Sequence, residues 1–289
     1  MRICSLLPSA TEMVAALGFA DSLVAVSAEC DWPPEVRGRP VVSASRVELS
    51  RLSSLQIDAA VREAAADGRP LYTVDRDVLE QLEPDLILTQ KLCDVCAVSA
   101  DAVDELHLTG AQVVPLDAIT VEEIEQRVLD LAHLLGVPER GRAVVERMEA
   151  TIGAARAAVT GAPVRPVFLA EWVDPPFVAG HWIPDMVARA GGRDVLAKVG
   201  GPSYPTTWDA VREQRPELVI VAACGFDAPR GALEASQLAL GCRTVAVDSN
   251  AYYARPGPRV ADGIAQLAHL IHPELAADPG LPFVELTPA

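Results

Sequence analysis

At 289 residues, half of them hydrophobic, the chain has material for one large domain or two of moderate size, each with a real core. Its net charge of −16 speaks against nucleic acid and anionic membrane surfaces, which attract basic patches, and suits a neutral or cationic ligand or a basic protein partner. The longest wholly apolar run, Leu218 to Cys224, is far too short to cross a bilayer, and six cysteines fall below the density of a disulfide scaffold.

Met1 to Leu7 passes straight into a helix, with no long apolar core and small-residue cleavage site behind it. That pattern predicts a cytoplasmic chain, or a periplasmic or extracellular one if a leader has been trimmed. Arg2 to Leu7 reads as a buried strand that Pro8 breaks. Ser9-Ala10-Thr11-Glu12 has capping-box spacing and predicts a helix from Ser9 to Gly18. Leu23 to Ser27 is a second strand, opening into Ala28 to Pro34, and Val41-Val42 a short third. Helices follow at Ile57 to Ala66 and Asp77 to Leu82, then a strand at Asp85 to Gln90 and a loop, Lys91 to Ser99, with two cysteines. Ala100 to Leu108 reads as a helix, Gln112 to Leu116 as a strand, and Val121 to Leu135 as a helix with acids in its first turn, where the dipole favours them.

Pro138 to Val159 predicts one unbroken helix. Pro138 suits its first turn, and Gly161 with Pro163 stops it. Gly141, Val145, Met148, Ile152, Ala155 and Val159 make one apolar stripe along it. At 1.5 Å per residue it spans roughly 33 Å, about the width of a small domain. Beyond it, strands are expected at Val167 to Trp172, Glu217 to Ala223 and Thr244 to Asp248. Helices are expected at Ile183 to Ala190, Trp208 to Gln214, Leu233 to Ala239 and Val260 to Ile271, and the tail after Pro273 as a surface wrap.

The two halves superpose in sequence. Asp77 lies seven residues before Pro84-Asp85-Leu86-Ile87, and Asp209 seven before Pro216-Glu217-Leu218-Val219, an offset of 132. Leu116-Asp117 and Val247-Asp248 recur at 131. Two matches at nearly one offset indicate duplication. The expected fold is therefore α/β, with two Rossmann-like lobes bearing parallel-rich sheets joined by a single long helix. The lobes are residues 1–137 and 162–289, with the linking helix at 138–161. So rigid a spacer would allow only a few degrees of closure.

In open α/β sheets, ligands bind beyond the carboxyl ends of the strands. The loops there are Pro8 to Thr11, Glu29 to Pro34, Gln90 to Ser99 and Asp117 to Thr120 in the first half. In the second they are Glu171 to Trp182, Cys224 to Pro229 and Asp248 to Pro258. If the lobes face each other, these loops line one cleft. Trp32, Trp172, Phe177, Trp182, Tyr252 and Tyr253 all fall in them, which suggests a contact surface for a large, partly apolar ligand; the alternative is aromatics tucked beneath their own loops. Cys30, Cys93, Cys96 and Cys224 lie in the same loops. Cys93-Asp94-Val95-Cys96 has metal or redox spacing, and His181 is a further donor, so metal ligation, a reversible disulfide and plain structural thiols all remain open. Walker and dinucleotide glycine patterns and the Gly-x-Ser-x-Gly elbow do not occur, and no catalytic constellation stands out. Asp77 and Asp209 stand at helix starts, where simple capping is the plain alternative to a functional role.

Leu7-Pro8-Ser9-Ala10-Thr11-Glu12, Asp31-Trp32-Pro33-Pro34, Pro84-Asp85-Leu86-Ile87, Asp174-Pro175-Pro176-Phe177 with Gly180, and Asp248-Ser249 through Arg259 together resemble the solute-binding proteins of ABC importers for siderophores, haem and cobalamin. The likeness is strongest to the cobalamin-binding branch and runs from Ile3 to about Ile271. It implies a non-enzymatic protein, a monomer, with cobalamin or another corrinoid as ligand. It further implies that Trp32, Phe177 and the Asp248 to Tyr253 loop contact the ligand, Asp248 and nearby backbone groups orienting it, and that Asp77 and Asp209 dock onto arginines of an ABC permease. The docking positions carry Asp where Glu is usual in the family, and the Gln90 to Ser99 loop carries CxxC where periplasmic cobalamin binders present an aromatic platform. The ligand set expected is Trp32, Trp172, Phe177, Trp182, Asp248, Ser249, Tyr252 and Tyr253. A second reading is haem, a siderophore or a metal ion held by Cys30, Cys93, Cys96 and His181. A third is a thiol redox protein using Cys93 and Cys96.

Overall fold

The computed structural model describes residues 1–47, 51–67, 70–91, 98, 100–104 and 110–286. The chain forms two compact units: residues 1–52, 56–118 and 126–144, and residues 53–55, 119–125 and 145–289.

The first unit is built on a six-stranded sheet. Up to residue 158 the elements are, in chain order, β1 (Ile3–Ser5), α1 (Pro8–Ala16), β2 (Leu23–Ser27), β3 (Val41–Ser45), α2 (Ser54–Ala66), β4 (Tyr72–Val74), α3 (Arg76–Leu82), β5 (Leu86–Thr89), α4 (Ala100–Asp104), β6 (Gln112–Pro115), α5 (Val121–Leu134) and α6 (Pro138–Ala158), of which the first residues of α2 and α5 and most of α6 belong with the second unit. Strand order is β4-β3-β2-β1-β5-β6, parallel throughout except for the antiparallel edge β4. Strands buried on both faces need continuous apolar runs, and β5 is wholly buried. Cys4, Leu6, Ala25, Leu79, Ile87 and Val103 make its core.

Two local expectations change here. Pro8 does not merely end the strand. It takes the first helical position of α1, so Leu7 becomes the N-cap with no side-chain cap, and Ser9 is buried inside the helix. The capping box is therefore not formed. β4 is an edge strand of three residues, too short to show a period in sequence.

The second unit continues with β7 (Arg165–Val173), β8 (Pro176–Val178), α7 (Ile183–Arg189), β9 (Gly192–Asp194), β10 (Tyr204–Pro205), α8 (Trp208–Glu213), β11 (Leu218–Val221), α9 (Ala228–Glu234), β12 (Arg243–Val247), α10 (Ser249–Tyr252), α11 (Val260–Ile271) and β13 (Phe283–Leu286). Its sheet runs β10-β8-β7-β11-β12-β13, with β9 also against β7. The strands β7, β11 and β12 are parallel, while β8, β10 and β13 are antiparallel additions. The tail is thus not a loose wrap: β13 closes the β12 edge. The helix expected at Leu233 to Ala239 lies earlier, at α9, because Asp227 caps it by accepting the Arg230 N–H.

The internal repeat survives in three dimensions. The path β1-β5-β6 of one unit matches β7-β11-β12 of the other, and a short helix precedes the second strand of each. Asp77 and Asp209 are the second residues of α3 and α8, both exposed, but the caps are Asp75 and Thr207. Simple capping therefore does not account for the acid pair. Even the backbone repeats: Glu83 and Arg215, each just before the proline, have φ of 40° and 51°.

The long helix α6 is continuous over 21 residues. Pro138 to Val144 belong with the first unit and the rest with the second. Its buried face is the expected stripe, Gly141, Val145, Met148, Ile152, Ala155 and Val159, joined by Val144. A side chain at Gly141 would collide with Ala132 of α5, so glycine lets the two helices close. No described helix is long and apolar enough to cross a membrane.

Candidate functional site

In the second unit the carboxyl ends of β7, β11 and β12 lie side by side, and the segments leaving them are stitched together. The Ser249 hydroxyl donates to the Ala222 carbonyl at 2.8 Å, and the Asn250 N–H to the Phe226 carbonyl at 3.1 Å. The Trp182 indole N–H donates to the Tyr253 carbonyl at 2.8 Å, and the Tyr253 hydroxyl to Gln266 Oε1 at 2.7 Å. These bonds place Ser249 and Tyr253 wholly inside the unit and Trp182 almost so. The expectation that these three present their side chains to a ligand is corrected accordingly: their polar groups hold the floor beneath the loops.

Trp172, Phe177 and Tyr252 keep partial exposure. Trp172 and Phe177 lie in strands rather than loops, on β7 and β8, and face each other in register. The turn joining these strands contains the cis bond Asp174–Pro175, and the Asp-Trp-Pro-Pro loop of the first unit contains a cis Trp32–Pro33. Trp172 packs 5.2 Å from Phe226, and its indole N–H reaches the Ser54 carbonyl at 3.1 Å. Arg230 lies 3.8 Å above the Phe226 ring, and Arg259 lies 5.4 Å from the Tyr252 centroid. Phe226, Arg230 and Arg259 were not among the sequence candidates. The available signal was Arg230 in the first turn of a helix, where the dipole disfavours a cation.

Glu171, at the end of β7, was also missed. Its carboxylate accepts the Gly180 N–H at 2.9 Å. Burial raises its affinity for a proton, against the opposing pull of the Gly180 N–H and the Ser203 hydroxyl. The next residue, His181, adopts a left-handed φ of 56°, held by its N–H to the Gly201 carbonyl (2.7 Å) and by the Gly200 N–H to its own carbonyl (3.0 Å). Burial holds the His181 imidazole below the usual histidine range, and its ring stacks 5.9 Å from that of Trp182. Asp248 caps α10 by accepting the Ala251 N–H at 2.9 Å. Burial pushes its carboxyl up, with Asp227 adding to the rise and the Ala251 N–H, Arg259 and Arg255 opposing it.

In the first unit, Trp32 is 44% exposed in the loop that follows β2. Cys30 is turned inward instead, with the Thr11 hydroxyl 3.0 Å from its sulfur, so it is not presented to a ligand. Burial, with Cys30 adding to it, pushes the Cys4 thiol up to about 12. Cys93 and Cys96 lie outside the described residues. Among the described residues, no three His, Cys, Asp or Glu side chains converge to hold a metal ion.

The two parallel-rich sheets and the loops at their strand ends are the architecture of a two-lobe periplasmic binding protein. The chain belongs to the periplasmic binding protein family, whose profile matches residues 3–240. It is 24% identical over 225 residues to the vitamin B12-binding protein of Vibrio cholerae serotype O1, covering 76% of this chain and 70% of that one. With the vitamin B12-binding protein of Photorhabdus laumondii the identity is 22% over 224 residues, covering 77% and 70%. Among solved structures, a periplasmic haem-binding protein of Pseudomonas aeruginosa aligns with a TM-score of 0.71 at 21% identity, covering 99% of this chain and 98% of that one. The periplasmic vitamin B12-binding protein of Vibrio cholerae aligns at 0.67 and 21%, covering 93% and 96%. At these identities the likeness to solved structures is one of fold.

Proposed function

We propose that the protein binds cobalamin or a related corrinoid without transforming it, and delivers it as a monomer to an ABC importer from the periplasmic or extracellular side. The observation that carries the reading is the row of partly exposed aromatics, Trp172, Phe177 and Tyr252, at the carboxyl edge of the second unit's sheet. Flat apolar side chains on a rigid scaffold suit a broad macrocycle, and binding alone demands no catalytic group. Trp32, on the first unit's β2 loop, is a further contact of the same kind, and Asp248 an orienting group. The curated relatives that bear the vitamin B12 name favour a corrinoid. The fold likeness to a haem-binding protein keeps haem as the second reading, in which His181, neutral and half-buried, is the donor.

The exposed pair Asp77 and Asp209, repeated at one helix position in each unit, is proposed to dock a permease with complementary arginines. Spectral and calorimetric titrations of the purified protein with cobalamin, haem and zinc separate the readings. Submicromolar cobalamin binding is expected. Silence toward cobalamin with tight haem binding would reverse the order. Tight zinc binding lost in a Cys93→Ser, Cys96→Ser variant would favour the metal reading. A ligand-free protein that turns over dithiols would favour the redox one.

A further inference from the structure

Helix α9 ends on an acid. Glu234 is its last residue, where the dipole disfavours a carboxylate. Its side chain is engaged elsewhere: one oxygen, Oε2, accepts both the backbone N–H and the hydroxyl of Ser54, at 3.0 and 2.7 Å. Ser54 is distant in sequence, but residues 53–55 count with the second unit. It is the first residue of α2, so its N–H has no partner within that helix, and it is 1% exposed. Its carbonyl accepts the indole N–H of Trp172 at 3.1 Å. The ring of Trp172 meets that of Phe226 at 5.2 Å, tilted by 52°. Phe226 is itself fixed. It is buried, its N–H donates to the Ala223 carbonyl at 3.0 Å, and its carbonyl accepts the Asn250 N–H at 3.1 Å.

The two contacts on Trp172 differ in kind. Phe226 offers an apolar wall, which leaves the indole free to turn about its broad outer torsion. An indole has a single donor, so one fixed acceptor selects one orientation of the ring. The Ser54 carbonyl is that acceptor, and Ser54 is held by two bonds to a carboxylate. We infer that Glu234 is a positioning residue of the ligand site, setting the ring of Trp172 through Ser54. This rests on the reading of Trp172 as a contact for a macrocycle. A ring already held in its bound orientation loses less rotamer freedom when the ligand arrives. Glu234 acts on affinity through Trp172 alone, which separates this role from plain capping of α2.

Two measurements test it. The first needs no ligand: the indole N–H resonance of Trp172 in the free protein, identified by its loss in Trp172→Phe. In Glu234→Ala that resonance should shift and exchange faster with water, while that of Trp182, held by the Tyr253 carbonyl, stays in place and reports an intact fold. The second is calorimetric titration with cobalamin, and with haem, in a double-mutant cycle. Glu234→Ala should weaken binding of the macrocycle that the wild type takes by about three- to tenfold. In the Trp172→Phe background, which lacks the indole donor, the same change should alter affinity by less than about 1.5-fold. Glu234→Gln, which keeps an acceptor oxygen, should restore most of the loss. Binding with an unmoved Trp172 resonance, or with equal losses in both backgrounds, overturns the positioning role alone. A wild type that binds neither macrocycle overturns the macrocycle reading, and the role of Glu234 falls with it.

Discussion

The phenol of Tyr253 and the carboxyl of Glu171 show how a single side chain near a binding edge can be occupied internally. Tyr253 is wholly buried and bonds Gln266, so Tyr253→Phe should cost about 1–3 kcal/mol in chemical denaturation by stranding that acceptor. Ligand affinity should stay within about twofold, because the hydroxyl faces inward. Glu171 behaves differently. Burial raises its native proton affinity above the unfolded value, so it supports the fold at low pH and loses that support as pH rises through its native value. Glu171→Gln should therefore gain on the wild type from about pH 4.3 upward. Parallel urea midpoints for the two proteins between pH 4 and 8 would refute this. In native thiol labelling read by mass spectrometry, Cys4, its thiol pushed up to about 12, should stay unmodified at pH 8 while Cys224 reacts. Residue types marked out the loops at the strand ends, but which aromatic is exposed there and which is buried depends on partners far away in sequence, such as Gln266 for Tyr253, Tyr253 for Trp182 and Ala222 for Ser249.

At the scale of elements, α6 offers an internal control. Gly141 abuts Ala132, whereas nothing lies within 4 Å of a side chain added at Gly153. Gly153→Ala should stabilise by about 0.5–1 kcal/mol through helix propensity and reduced unfolded-state freedom. Gly141→Ala should instead destabilise by about 1–3 kcal/mol through overpacking against α5. Equal shifts in denaturation midpoint would show that the two helices do not pack as described. The long periodic elements were legible: β2 and α11 have the bounds expected, and the stripe on α6 is the one buried. The segments missed are short and held by pairing rather than pattern. β4, β8, β9 and β10 have two or three residues each, and β13 forms only because the tail returns to β12. α9 was displaced because a turn of Pro and Gly residues conceals the Asp227 cap.

For the whole molecule, the sequence offset of 132 corresponds to one strand path repeated in two units, down to left-handed residues before each proline. Such a repeat sets Asp77 and Asp209 at matching points, and Asp209 is already paired with Arg212 at 2.5 Å on an exposed face. Replacing both acids by Arg should leave ligand affinity unchanged, since neither lies at a strand carboxyl end, while abolishing importer-dependent uptake in cells. Unchanged uptake would remove them from docking. The central claim is that the strand-end loops hold a macrocycle, and hydrogen exchange with and without saturating cobalamin tests it most directly. Protection is predicted at residues 171–182, 223–230 and 248–259; protection confined to other segments, or none at all, would contradict the account.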